Sequence, residues 1–142
     1  MLSLAGAERP DYLQGRVFMG PDSEPAPEYL FGHRDRMDET LDIIRTLTGQ
    51  RYKYIRNFEY FKPYLHYVEY AEVNEWNGIT RAIRRAHAEG GNAVADWYFS
   101  TKPVEELYDL QADPYEMNNL AKDPAHTETM KTMRKALFAE QS

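Results

Sequence analysis

Residues 41–58 carry the clearest pattern in the chain. Leu41, Ile43 and Leu47 fall on one face of an extended segment, and Asp42, Ile44 and Thr46 on the other. A turn signal follows at Thr48-Gly49-Gln50. Beyond it Tyr52, Tyr54 and Phe58 share one face, while Arg51, Lys53, Ile55 and Asn57 share the other. Successive side chains on a strand point to opposite sides, so this alternation marks half-buried strands. Two such runs joined by three turn residues predict a β-hairpin.

The period changes to that of a helix over 75–89. Trp76, Ile79, Ile83 and Ala86 line one face there, and Arg81, Arg84 and Arg85 lie mostly on the other. Gly90-Gly91 ends it, since glycine accepts the left-handed backbone that closes a helix. Residues 92–99 are expected to add a helical turn. A last helix is predicted over 124–140. Asp123 is placed to cap it, Pro124 suits its first position, and Met130, Met133 and Leu137 form an apolar stripe that Phe138 broadens.

Shorter apolar runs predict strands at 15–20, between two glycines, at 28–32 and at 105–110. Three prolines within 21–27 make that segment a loop. Residues 33–40 are dense in charge and read as a solvated turn. Residues 59–73 leave two readings open: a helix started by Pro63 that turns Leu65, Tyr67 and Val68 inward, or an extended loop held by tyrosines. In 105–121, EELYDLQADPYEMNNLA, a strand runs into a break at Asp113-Pro114, and 115–121 reads as one helical turn. Asp109, Asp113, Glu116, Asn118 and Asn119 are candidates to cap exposed backbone groups there. Hairpin-joined strands followed by helices predict an α+β fold, a small antiparallel sheet of about four strands packed by the C-terminal helix and one further helix.

Composition sets bounds on partners. The 142 residues suffice for one domain with its own core, or for part of a larger one. A net charge of −6 leaves no basic excess of the kind that follows a nucleic-acid backbone, so no nucleic-acid partner is expected. No apolar run approaches the length of a membrane-spanning helix, and no membrane partner is expected. The opening MLSLAGAERPDY is short and soon polar, so no secretory leader is expected there. Cysteine is absent, which excludes disulfides, thiolate metal ligands and a cysteine nucleophile. Tyrosines cluster at 52–70, a composition that fits a buried sheet face or a ligand groove.

Two stretches add a family signal. One is LYDL at 107–110, then Asp113-Pro114, Glu116 and NNLA at 118–121, before the closing helix. The other is HRDRMDE at 33–39, IRT at 44–46 and RYKYIRN at 51–57, in that order. Together they frame about residues 12–140 and resemble the C-terminal subdomain of the type I sulfatases, within the alkaline-phosphatase superfamily. The resemblance implies a four-stranded antiparallel sheet packed by a C-terminal helix. It implies a parent that hydrolyses sulfate esters of sulfated glycans, with a formylglycine nucleophile and a calcium ion in a larger N-terminal domain. Residues 1–142 are then expected to be a single subdomain that lacks the catalytic domain, completes the fold and lines the substrate cleft. Its expected partner is that N-terminal domain. The alternative is a stand-alone, non-enzymatic binding or self-association module. It would use the exposed face once packed on the parent, with the tyrosine cluster or the Trp76–Ile79–Ile83 stripe as candidates.

Little in the chain itself points to catalysis. The formylglycine motif, C/S-x-P-S/A-R, is matched by Ser23-Glu24-Pro25-Ala26, but Pro27 stands where arginine is required. His33, His66, His87 and His126 lack the spacing of zinc ligands, and the acids and amides of 109–119 miss the calcium-loop pattern. No catalytic residue, metal or cofactor is therefore assigned within the chain. The candidate substrate-binding residues are His33, Arg34 and Arg36, which suit a sulfate or a sugar carboxylate. The same arginines also fit a turn salt-bridged to Asp35, Asp38 and Glu39. Lys53 and Arg56 are weaker candidates of the same kind. His66 and Trp76 fit either the border of a sugar-binding surface or core packing.

Overall fold

A computed structural model describes residues 1–73 and 77–140. Four strands among them form one antiparallel sheet in chain order: β1 (Leu30–Met37), β2 (Thr40–Thr48), β3 (Tyr52–Asn57) and β4 (Glu105–Asp109). The alternation at 41–58 becomes the β2–β3 hairpin, with Leu47 opposite Tyr54 and Thr46 opposite Ile55. On β4, Leu107 lies opposite Tyr54. The helices are α1 (Glu69–Val73), α2 (Asn77–Ala88), α3 (Ala93–Phe99) and α4 (Thr127–Glu140).

The core forms between the sheet and α4. Leu47, Tyr54 and Leu107 present their buried side chains to Met130, Met133 and Leu137, the stripe expected of the last helix. Asp123 caps the short 3-10 turn Pro124–His126 that leads into α4, its carboxylate accepting from the Ala125 N–H at 2.9 Å. The α+β expectation holds, and residues 75 and 76 of the expected second helix lie outside the described residues. At its end, Gly90 (φ 116°) and Gly91 (φ 76°) take the positive φ that closes a helix.

Three expectations fail. Residues 15–20 form no strand; among the described residues no strand pairs with them, and Phe18 and Met19 are exposed. A short apolar run becomes a strand only where a partner satisfies its backbone. Residues 33–40 are not a solvated turn: β1 runs through them to Met37, and the chain reverses only at Asp38 (φ 48°) and Glu39. The ladder pairs backbone groups whatever the side-chain charge, and an edge strand keeps those charges in water. Within it, a Cβ at Gly32 would collide with the Thr46 hydroxyl, so a larger residue here would force that side chain to turn away.

The third failure is 115–121, which is irregular rather than helical. Glu116 adopts φ 55° and its carboxylate leaves the turn to take both hydrogen bonds from Lys53 Nζ, at 2.9 Å each. Three expected caps do form. Asp109 accepts from the N–H groups of Gln111 and Ala112, Asp113 from that of Asn118, and Asn119 from those of Leu107 and Ala121. Asn118 thus contributes its backbone to the turn.

Residues 58–104 form one long excursion between β3 and β4. Of the two readings for 59–73, the extended loop describes the chain to residue 68, before α1. The excursion leaves and returns at neighbouring points. The Asn57 N–H donates to the Val104 carbonyl at 3.0 Å, the Lys102 N–H to the Tyr60 carbonyl at 2.9 Å, and Pro63 bridges to Thr101.

Candidate functional site

The sheet separates the residues singled out as substrate-binding. His33 lies opposite Arg45 and Arg34 opposite Ile44, so the two side chains leave β1 on opposite faces. An irregularity between Arg34 and Arg36 then shifts the register, placing Arg36 opposite Leu41. His33, Arg34 and Arg36 are all exposed. The salt-bridged turn does not form as expected either. Asp35 pairs with Arg45 at 2.7 Å, Arg36 Nε donates to the Asp38 carbonyl at 2.9 Å, and Arg34 approaches Asp42 at 3.7 Å.

Asp42 is the centre of a charged cluster that the sequence reading missed. It sits on β2 at 2 % exposure. One carboxylate oxygen accepts from Lys102 Nζ at 2.6 Å, and the other lies 3.2 Å from His66 Nε2. Lys102 arrives from the returning end of the excursion and His66 from its outgoing limb. Both are buried, whereas Arg34 is the half-exposed member facing solvent. Burial pushes the His66 pKa below its ordinary value; the pull of Asp42 opposes this, and the Lys102 charge adds to the lowering. The only signal in the sequence is an aspartate in an otherwise apolar run of a predicted strand. Lys102, in a Thr-Lys-Pro connector, gave none. Of the other two candidates, His66 packs inside, and Trp76 lies outside the described residues.

A second cluster fastens the last helix to the sheet. Arg134 on α4 grips the Glu105 carboxylate through Nε at 2.7 Å and Nη2 at 2.8 Å, and the Tyr54 hydroxyl donates to the same group. Arg56 stands 3.7 Å away. Burial pushes Glu105 up, yet these partners together bring its pKa below the usual value. Burial and the bond to Glu105 raise the Tyr54 phenol to about 12.

Next along β4, Glu106 faces the opposite side. It accepts from Asn57 Nδ2 at 2.6 Å and from the Tyr108 hydroxyl. Burial, followed by the charge of Glu106 and a hydrogen bond to it, pushes the Tyr64 phenol to about 12. Glu106 and Tyr108 line a groove of about 680 Å³ between α3 and the turn after β4. Its walls include Tyr64, Trp97, Tyr98 and Met117.

The calcium and formylglycine implied for the parent find no matching residues here. Among the described residues no three His, Cys, Asp or Glu side chains come together as metal ligands. Ser23 lies exposed in a loop.

A small antiparallel sheet backed by one C-terminal helix is the fold of a sulfatase C-terminal subdomain. It is shared with a solved 2-O GAG sulfatase (TM-score 0.59, 21 % identity, 98 % of this chain and 22 % of that one). It is shared also with a structure solved in complex with its substrate D-glucosamine-2-N,6-O-disulfate (TM-score 0.53, 19 % identity, 99 % of this chain and 22 % of that one). Two curated ulvan-active sulfatases of Formosa agariphila are similar in sequence. One is 32 % identical over 139 residues, 96 % of this chain and 23 % of the relative; the other is 30 % identical over 145 residues, 97 % and 26 %. No family model matches the chain. The chain thus matches a C-terminal piece of sulfatases in sequence and fold, and spans about a quarter of the length of the curated relatives it matches.

Proposed function

We propose that this chain is the C-terminal subdomain of a sulfatase acting on a sulfated glycan of the ulvan kind, completing the enzyme's fold and lining its substrate cleft. The nucleophile and metal site belong to a catalytic N-terminal domain, the subdomain's partner. His33, Arg34 and Arg36 are the residues that meet the anionic groups of the substrate. The observation that carries this reading is the similarity to two ulvan-active sulfatases over 96 % and 97 % of the chain. The half-exposed Arg34 guanidinium beside the buried Asp42 supports it, because a forked cation suits a sulfate.

A chimaera tests both halves of the proposal. The corresponding segment of one Formosa relative is replaced by this chain, and sulfate release from ulvan is measured. An active chimaera is expected. Within it, Arg34→Ala is expected to raise KM by about tenfold with kcat little changed, the mark of a lost binding contact. An active chimaera indifferent to Arg34→Ala, Arg36→Ala and His33→Ala would overturn the cleft-lining role and leave fold completion standing.

A further inference from the structure

The groove beside α3 holds chemistry that the cleft-lining reading leaves unused. The Tyr64 and Trp97 rings stack at 4.4 Å with 19° between their planes, and Tyr98 meets Trp97 edge-on at 5.0 Å. Trp97 remains 52 % exposed although Tyr64 covers one of its faces. The platform is held rigid from both sides. Asn92 caps α3 through the N–H groups of Val94 and Ala95, and the Leu65 N–H donates to the Tyr98 carbonyl at 2.9 Å. An amphipathic ring held in one place supplies contact area at little cost in conformational entropy.

The polar lining sets the class of ligand. Among the described residues that line the groove there is no arginine, lysine or histidine. Its two carboxylates are committed, Glu116 to Lys53 and Glu106 to Asn57 and Tyr108. The ammonium beside the groove, Lys53, is already held by Glu116 at 2.9 Å, so a sulfate or a uronate would find no uncommitted cation in the lining, and such anions require one. A neutral pyranose ring fits: it has an apolar C–H face for an aromatic ring and a hydroxyl edge for polar rims such as the Ser100 and Thr101 hydroxyls.

We infer that this groove is a glycan-binding subsite that takes an unsulfated pyranose ring stacked on Trp97, separate from the residues on β1. The glycan class rests on the sulfatase reading; the site itself does not.

The test is a titration of this chain with ulvan oligosaccharides before and after chemical desulfation, followed by amide NMR and tryptophan fluorescence. Saturable shifts at Tyr64, Trp97 and Ser100 are expected, with affinities for the two forms within about threefold of each other. Trp97→Ala should weaken binding by about tenfold or more, Trp97→Tyr should retain part of it, and Arg34→Ala should leave it unchanged. Shifts confined to β1 that vanish on desulfation would overturn the groove and uphold the cleft. Groove shifts with none on β1 would do the reverse. No saturable binding by about 10 mM would also overturn the inference.

Discussion

Lys102 is an ammonium without water around it: its side chain is 1 % exposed and its partner is Asp42 at 2.6 Å. Such a pair is worth little against an apolar replacement, but losing one partner leaves a buried, uncompensated charge. Asp42→Ala is therefore expected to cost about 3–5 kcal/mol, and the double variant with Lys102→Met to recover a large part of it. Urea unfolding of both variants checks this; equal losses in the two would contradict it. His66 adds a pH dependence at the same place. Its native pKa is held below the ordinary imidazole value of about 6.5, so the unfolded chain takes up the proton more readily. Stability is then held above about pH 6.5 and falls as the pH drops through the lower native value. The fall should shrink in His66→Gln, read as urea midpoints at about pH 7 and pH 5; an unchanged profile would contradict it.

At the scale of elements, α4 closes the buried apolar core over one face of the sheet. Leu137 is 1 % exposed against Leu47, Tyr54 and Leu107, so Leu137→Ala should cost about 2–5 kcal/mol. Asp123→Ala, which removes the cap and the exposed contact with His126 at 3.3 Å, should cost about 1 kcal/mol. The Arg134–Glu105 fork adds an acid-side effect. The native pKa of Glu105 is lowered, so its contribution is present above about pH 4.5 and is lost as the pH falls through the native value. Arg134→Met should flatten that acid limb, as followed by circular dichroism. These elements were legible because their signals are local: alternation for the hairpin, an i, i+3, i+7 stripe and a cap for α4. What was not legible depended on distant partners. A strand at 15–20 needed a neighbour that is not there. The charged run 33–37 had one in β2 and became a strand. Glu116 looked like a cap and was drawn to Lys53, more than sixty residues earlier in the chain. Of the candidate site, the arginines were visible as residue types, but their separation by face and register was not, nor was the meeting of Asp42, His66 and Lys102.

At the scale of the molecule, α4 covers one face of the sheet, while the edge hairpin keeps Leu30 62 %, Phe31 45 % and Leu41 45 % exposed. This is the observation that favours self-association, since exposed edges and apolar patches invite pairing. If the isolated chain associates this way, light scattering across a concentration series should show dimers that Phe31→Lys returns to monomers. Association unaffected by that substitution would place the contact elsewhere. The excursion 58–104 has a different consequence. It departs and rejoins the sheet through a single doorway, closed by the Asn57, Lys102 and Pro63 contacts. The cost of closing a chain grows only slowly with its length. The excursion can therefore change in length beyond that doorway, and with it the α3 wall of the groove, as long as His66 and Lys102 still reach Asp42. On such a frame the lining of the groove can vary while the sheet and its helix keep their fold.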